Sequence, residues 1–376
     1  MDLRFGLISA DDHVQEPPDL WTARLSRAIW GDRVPRIEAQ TDGSECWVVD
    51  GRRAPLGGPA ELGAALADRA GSPLRWEDVP ESYFVPRRRL EAMDRDGVDC
   101  SVLYPTAAGV AGETLTAIRD RDLQLACIRA YNDWLVDEWA AFDSRFIAQC
   151  LVPLTSVPDA VDEVVRAADK GHRGVVLPAI PSFETGVPHL NDAAWDPFWA
   201  TCAERALPVC FHAGAPGPIQ ISPDPRLAPR LAGAFRAITR PASHIPVMVN
   251  FLISRILLRH PALRVVFAES ALGWVAYLLE FTDHQFREDR VDREGYELNP
   301  SGMFHRQCAV TGWYDRAAVR TRQHIGVENI MWSTNFPLTT STWPNTREFV
   351  ARAMAEVPED ERRRILWGNA AAIYRL

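Results

Sequence analysis

The stretch "LISADDHVQEP", residues 7–17, begins as an apolar strand and ends in charge. Leu7 to Ala10 run directly into Asp11, Asp12 and His13, and the pattern stops at Glu16-Pro17. In a surface loop these residues have no consequence. At a strand end buried inside a fold, a carboxylate and an imidazole are costly unless they are paired or hold a cation. The meaning of this stretch therefore depends on what surrounds its strand.

Working outward, seven more apolar runs of strand length follow: CSVLYP (100–105), FIAQCLVP (146–153), GVVLPAI (174–180), PVCFHAG (208–214), RVVFAES (264–270), QCAVTGW (307–313) and NIMWSTNF (329–336). They are continuous rather than alternating, as expected for strands covered on both faces. Helical patterns separate them, among them RRRLEAMDRDG (87–97), LACIRAYNDWLVDEWAAF (125–142) and IPVMVNFLISRILLRH (245–260). Several stop at Gly or just before Pro, as helix ends do. Eight strand–helix units imply an α/β protein with a parallel sheet, and the closed solution at this length is a TIM (β/α)8 barrel. A doubly wound open sheet is the alternative, weakened because no G-x-G-x-x-G follows the first strand. Residues 14–86 fit no strand–helix unit. They are rich in Pro and Gly and contain CWVVDGRRAP (46–55), which suggests a hairpin. We read 14–86 as a long insertion after strand 1, folding over the barrel mouth inside a single 1–376 domain.

Composition excludes several function classes. The 376 residues are 47% hydrophobic and 24% charged, with a net charge of −9, which argues against a nucleic-acid binder. The two basic runs, Arg87-Arg88-Arg89 and Arg362-Arg363-Arg364, read as solvated helix faces. No apolar stretch reaches the ~18 residues of a membrane span. The N-terminus lacks a signal-peptide pattern, so a cytoplasmic location is expected. Seven cysteines without a C-x-x-C pair read as small buried hydrophobes in a reducing compartment.

In a barrel of this kind the chemistry sits at the C-terminal ends of the strands. Those ends carry Asp11, Asp12 and His13 on strand 1, Tyr104 on strand 2, His212 on strand 5, Glu269 on strand 6, Trp313 on strand 7 and Asn335 on strand 8. Strand alternation turns Asp11 and His13 to one side and Asp12 to the other. Asp11, His13 and His212 then form an oxygen and nitrogen ligand set for a divalent metal, Zn²⁺ or Mn²⁺. The competing reading is a structural Asp–His hydrogen bond ordering the mouth. His189 and His244 lie in connections that can reach the mouth, and His244, Tyr104, Trp313 and Asn335 are candidate substrate contacts. Trp30, Trp47, Trp76, Trp313 and Trp343 offer aromatic surface, each also explicable as packing. Arg52 and Arg53 could meet a substrate carboxylate, or form a solvated hairpin.

These residues resemble the amidohydrolase-related proteins of the amidohydrolase superfamily, the branch that includes aminocarboxymuconate-semialdehyde and resorcylate decarboxylases. The resemblance is carried by ISADDHVQEPPDLW (8–21), WDPFWATCAERALPVCFHAG (195–214), LLRHPALRVVFAESALGW (257–274), GVENIMWSTNFPLTTSTWPN (326–345) and GNAAAIYRL (368–376). It implies a metal-bearing (β/α)8 barrel in which Asp11, His13 and His212 match the family's ligands. Glu269 stands where the decarboxylases have a His. Strand 8 departs: the branch reads like S-D-Y-P-H-x-D-S-T-W-P, and here the catalytic Asp is Asn335, the His is Leu338 and the second Asp is Thr340. In the family that Asp takes a proton from water in hydrolysis, or protonates the ring carbon in decarboxylation. Asn335 has no titratable proton for either task, and its neutrality weakens the hold on a metal or abolishes it. Glu269 is the substitute acid–base, with His212 and Asp11 beside it.

Three functions remain open on these grounds. The first is a metal-dependent hydrolase or decarboxylase acting on a small carboxylated or cyclic substrate, aromatic or polyketide-like, in secondary metabolism. The second is a metal-independent lyase, hydratase or cyclase using Glu269, His212 and Asp11. The third is a non-catalytic binding protein. The expected partner is a small molecule, not nucleic acid or membrane. Relatives assemble as homodimers or larger, and the insertion is a natural contact surface.

Overall fold

The computed structural model describes residues 3–58, 62–65, 73–178, 186–214 and 223–376. Strand β1 (Ile8–His13) is followed by three short strands of a separate sheet, β2 (Arg36–Ala39), β3 (Glu45–Val49) and β4 (Arg52–Pro55). Then come β5 (Cys100–Tyr104), β6 (Phe146–Leu151), β7 (Gly174–Val176), β8 (Val209–His212), β9 (Val265–Ala268), β10 (Cys308–Gly312) and β11 (Ile330–Trp332). The large sheet has eight parallel strands in the order β1-β5-β6-β7-β8-β9-β10-β11. Each is buried along its whole length, which is why the runs read as continuous rather than alternating.

The ring closes just beyond the last strand. Asn335 N donates to Asp11 O at 3.1 Å and His13 N donates to Phe336 O at 2.7 Å, joining β1 to the segment after β11. This is a TIM barrel, as all eight strand-length runs require. The first strand runs from Ile8 to His13, so Asp11, Asp12 and His13 all lie on it. Ala179 and Ile180, the tail of the GVVLPAI run, lie outside the described residues, as do 59–61 and 66–72 of the insertion.

Helices pack outside the barrel with local signals that fix their ends. The helix Val157–Lys170 starts at Ser156, whose hydroxyl accepts from Asp159 N, and stops at the left-handed Gly171. Its apolar stripe, including Ala160, Val164 and Ala167, is buried.

The insertion carries the expected hairpin extended to a three-stranded antiparallel sheet. The 46–55 hairpin is there as β3 and β4, and β2 pairs with β3 on its other side. Beyond this sheet, the insertion leans on the barrel mouth. Leu62 bridges Leu338, Gly63 N and Ala64 N both donate to Pro337 O, and Gln15 Nε2 donates to Leu56 O at 2.9 Å. Gly58 (φ +56°) makes one close approach possible: a Cβ there would lie 2.2 Å from Thr106 O. Arg52 is exposed on β4, and Arg53 pairs with Glu38 of the same small sheet, so both belong to a solvated surface.

Two local expectations are corrected. Arg89 is not on a solvated face: its guanidinium is wholly buried, donating from Nε to Ser82 O and from Nη2 to His13 O, and lying over the Phe336 ring. Strand β1 is also not regular. Ser9 pairs with Ser101 but Asp12 pairs with Leu103, so one extra residue sits between them as a bulge.

Candidate active site and metal centre

The bulge in β1 decides which side chain faces which way. In a regular strand Ser9 and Asp12 would point to opposite faces. Here they share one, and Ser9 Oγ donates to Asp12 Oδ1 at 2.9 Å. Asp12 also accepts from Ser101 Oγ at 2.5 Å, Thr334 Oγ1 at 2.5 Å and Phe336 N at 3.0 Å. Burial pushes its pKa up to about 6, although Arg89 and the three hydroxyls pull it down.

Asp11 and His13 turn to the other side and meet His212 at the end of β8. Asp11 Oδ1 lies 3.6 Å from His13 Nε2 and 3.4 Å from His212 Nε2, and the two Nε2 atoms are 3.0 Å apart. All three side chains are fully buried. Each imidazole is oriented from behind by a backbone carbonyl: His13 Nδ1 lies 2.8 Å from Pro105 O, and His212 Nδ1 lies 2.8 Å from Ala213 O. A carbonyl only accepts, so in both neutral rings the proton is on Nδ1 and the Nε2 lone pair points inward. Two lone pairs and a carboxylate thus converge with nothing of their own to share. Neither Asp11 oxygen has a hydrogen bond of ordinary geometry among the described residues. Donor atoms about 2.0–2.2 Å from a tetrahedral cation are roughly 3.3–3.6 Å apart; the two Asp11 Oδ1 distances, 3.6 and 3.4 Å, fall in that range, and the imidazole nitrogens sit somewhat closer at 3.0 Å. The backbone carbonyls behind each ring are the usual outer support of histidine ligands. The three residues fit a divalent cation, and they are the one group of three or more such side chains with this spacing among the described residues. Without a cation, burial and the facing His212 hold His13 down at about 3. His212 goes up instead: burial opposes the rise, but Asp11 and Glu269 outweigh it.

Glu269 and Asn335 complete the rim. Both have positive φ, +52° and +55°, conformations that non-glycine residues rarely adopt and that turn these two side chains at the strand exits. Glu269 Oε2 lies 3.8 Å from His212 Nδ1. Asn335 Nδ2 donates to Glu269 Oε1 at 3.2 Å and to Thr340 Oγ1 at 3.2 Å. Asn335 Oδ1 is buried and has no hydrogen-bond partner among the described residues.

Of the candidate substrate contacts, Tyr104 packs its ring against both imidazoles, with centroids 5.9 Å from His13 and 5.2 Å from His212. Trp313 is buried at the end of β10, with an Nε1 that has no hydrogen-bond partner among the described residues. His244 begins the helix His244–Ile253 and is buried behind β9, its Nε2 2.7 Å from Ala268 O, and burial holds it at about 4. Trp47 is core, packed edge-on to Trp21, and Trp343 donates from Nε1 to Ala92 O. His189 is exposed, with Nδ1 accepting from Asn191 N.

One site residue escaped the sequence reading. Arg240 reaches over the rim, and its Nη1 lies 3.2 Å from both Glu269 oxygens. It sits in helix-like sequence between two strands, where nothing in the pattern separates it from a solvated arginine.

The cysteines are buried and none is in a disulfide. No helix among the described residues is long and apolar enough to cross a membrane.

Comparison with known proteins agrees with this geometry. The family model described as amidohydrolase matches residues 46–376. Gamma-resorcylate decarboxylase from Rhizobium sp. (strain MTP-10005) is 24% identical over 326 residues, covering 80% of this chain and 90% of that protein. A solved amidohydrolase from Mycobacterium avium subsp. paratuberculosis K-10 superposes with a TM-score of 0.76 at 22% identity, covering 99% of this chain and 100% of its own. A dihydroxybenzoic acid decarboxylase from Polaromonas sp. JS666, solved with bound manganese and the inhibitor 2-nitroresorcinol, superposes with a TM-score of 0.62 at 19% identity, covering 80% and 89%. Both the sequence match and the barrel carrying these side chains place the chain in one group: it belongs to the amidohydrolase family, whose relatives found here point to an enzyme of hydrolase or carboxy-lyase type.

Proposed function

We propose that this chain is a metal-dependent carboxy-lyase that removes the carboxyl group of a small aromatic acid, with Glu269 as its proton carrier. The observation supporting it most strongly is the convergence of Asp11, His13 and His212 through unshared lone pairs. The decarboxylases among the relatives bear names of aromatic acids, and three solved ones hold manganese. A Mn²⁺ or Zn²⁺ held by Asp11, His13 and His212 would supply Lewis acidity to a substrate oxygen.

The chain's own residues do the rest. Tyr104 and Trp313 are the aromatic surfaces for a ring, and the insertion's described residues Leu56, Leu62, Gly63 and Ala64, which touch the mouth, serve as part of a lid. In the reaction the bond from ring carbon to carboxyl breaks, CO₂ leaves, and the electron pair stays on the ring. Glu269, ionised beside Arg240 at rest, takes up a proton from solvent as the ligand enters; that proton then bonds to the ring carbon and leaves Glu269 ionised again. Asn335 and Thr340 hold Glu269 Oε1 in place through their side chains. Asn335 itself is an amide and moves no proton. A positioned acid of this kind contributes about 10²–10⁴-fold in rate.

A metal-independent lyase, hydratase or cyclase is the second reading. The observation favouring it is Asn335, a neutral amide where the resemblance puts a carboxylate. Assays of CO₂ release from 2,6-dihydroxybenzoate and 5-carboxyvanillate, with protein stripped of metal and then reloaded with Mn²⁺ or Zn²⁺, separate the two. The carboxy-lyase reading expects turnover only after reloading, and its loss in His212→Ala and Glu269→Gln. Turnover that ignores metal, or survives Glu269→Gln, contradicts it.

A further inference from the structure

The Arg240–Glu269 pair is unusual in a site whose other groups serve a cation. The arginine side chain is 10% exposed and the glutamate 2%. Burying such a pair costs desolvation that its attraction only partly offsets, so it is poor stabilising material.

Its placement is built in detail. Gly214, two residues after His212, has φ +89°, and a Cβ there would lie 3.1–3.3 Å from Arg240 Cδ, Cγ and Nε. The arginine stem therefore lies against the backbone just past a metal-ligand candidate. Ser243 Oγ donates to Arg240 O at 2.8 Å and accepts from Gly214 N at 3.1 Å, tying the arginine's turn to the same point. Both Glu269 oxygens are held by one nitrogen, Nη1, at 3.2 Å. That is longer than the ~2.7–2.9 Å of a strong charge-assisted bond, and it is not the two-pronged arrangement a guanidinium favours with a carboxylate.

Charge points the same way. Asp11 and Glu269 are acidic and Arg240 is basic. With a divalent cation present these groups total one positive charge, which a singly charged anion neutralises.

We propose that Arg240 is the residue selecting an anionic substituent on the ligand, and that Glu269 is its internal competitor. An entering carboxylate takes the guanidinium in two-pronged fashion, and Glu269 shifts to its remaining partners, Asn335 Nδ2 and Thr340 Oγ1. The inference rests on the aromatic-acid reading above and narrows it: the ligand carries a carboxylate or an equivalent anionic group on the Arg240 side of the site.

The test is equilibrium binding of benzoate and of benzamide, its neutral analogue, by calorimetry. It uses full-length protein both metal-free and loaded with Mn²⁺. Expected are a preference for benzoate, a loss of benzoate affinity of about tenfold or more in Arg240→Gln with benzamide unchanged, and tighter benzoate binding in Glu269→Gln. The second variant keeps the test decisive if Arg240→Gln does not fold. Equal effects on both ligands, or unaltered benzoate binding in Arg240→Gln, overturn the selection. Benzoate affinity that is unchanged or weaker in Glu269→Gln overturns the competition. CO₂ release is scored separately. No CO₂ release by metal-loaded wild type, with ligand discrimination intact, sinks only the carboxy-lyase reading, and CO₂ release with no such discrimination sinks only this one.

Discussion

Asp11 and Asp12 are neighbours on one strand, both buried, and they live in opposite worlds. Asp12 accepts four hydrogen bonds, from Ser9, Ser101, Thr334 and the Phe336 amide, and so stitches β1 to β5 and to the segment after β11. Among the described residues Asp11 accepts none of ordinary geometry, and its Oδ1 faces the Nε2 atoms of His13 and His212. The lesson is that burial alone does not mark a functional carboxylate. The saturated one holds the barrel's seam, and the unsaturated one waits for a charge from outside the chain.

That contrast breaks or sharpens under substitution, most strongly at Asp12. Asp12→Ala strands three hydroxyls, an amide and the buried Arg89, and costs about 3–5 kcal/mol of unfolding free energy. Denaturant titration reads it, and a loss below about 1 kcal/mol would mean the seam does not depend on this residue. Glu16 is a second saturated carboxylate, accepting from Thr106 N, Ala107 N and Ala108 N. Burial nevertheless raises it from 4.5 to about 7, against those donors. A raised acid is more readily ionised when unfolded, so its contribution is complete below 4.5 and is lost as pH climbs through about 7. Relative to Glu16→Gln, the wild type should lose about 3 kcal/mol across that window, and a pH-independent difference would contradict the assignment. Removing one strut from the seam is milder. Thr334→Val deletes a single donor to Asp12 and should cost about 1–2 kcal/mol, visible as a lower thermal midpoint. The smallest effect belongs to Asp11→Ala. Metal-free protein should unfold within about 1 kcal/mol of wild type, because no hydrogen bond of ordinary geometry among the described residues is broken and the lost attraction for His212 is offset by removing a buried charge. A loss as large as that of Asp12→Ala would erase the distinction.

Much of this was legible in the sequence, for physical reasons that differ by residue. The eight strands declared themselves because burial on both faces leaves uninterrupted apolar runs. Asp11, His13 and His212 could be found because strand ends of such a barrel share one rim. The β2 strand could not, since RIEA is short, half polar and only partly buried. The bulge that pairs Ser9 with Asp12 is invisible to an argument from regular alternation. Arg89 looked solvated because a basic run carries no hint that one member turns inward beneath Phe336. Arg240 was hidden for the opposite reason: its partner Glu269 lies 29 residues away, and only the folded chain brings them to 3.2 Å.

The most direct test of the account is the metal content of purified protein equilibrated with Mn²⁺ and freed of excess, measured by elemental analysis in wild type and in Asp11→Ala. One ion per wild-type chain and almost none in the variant is the predicted result. A wild type that retains no metal, or an Asp11→Ala protein that retains as much, would contradict it.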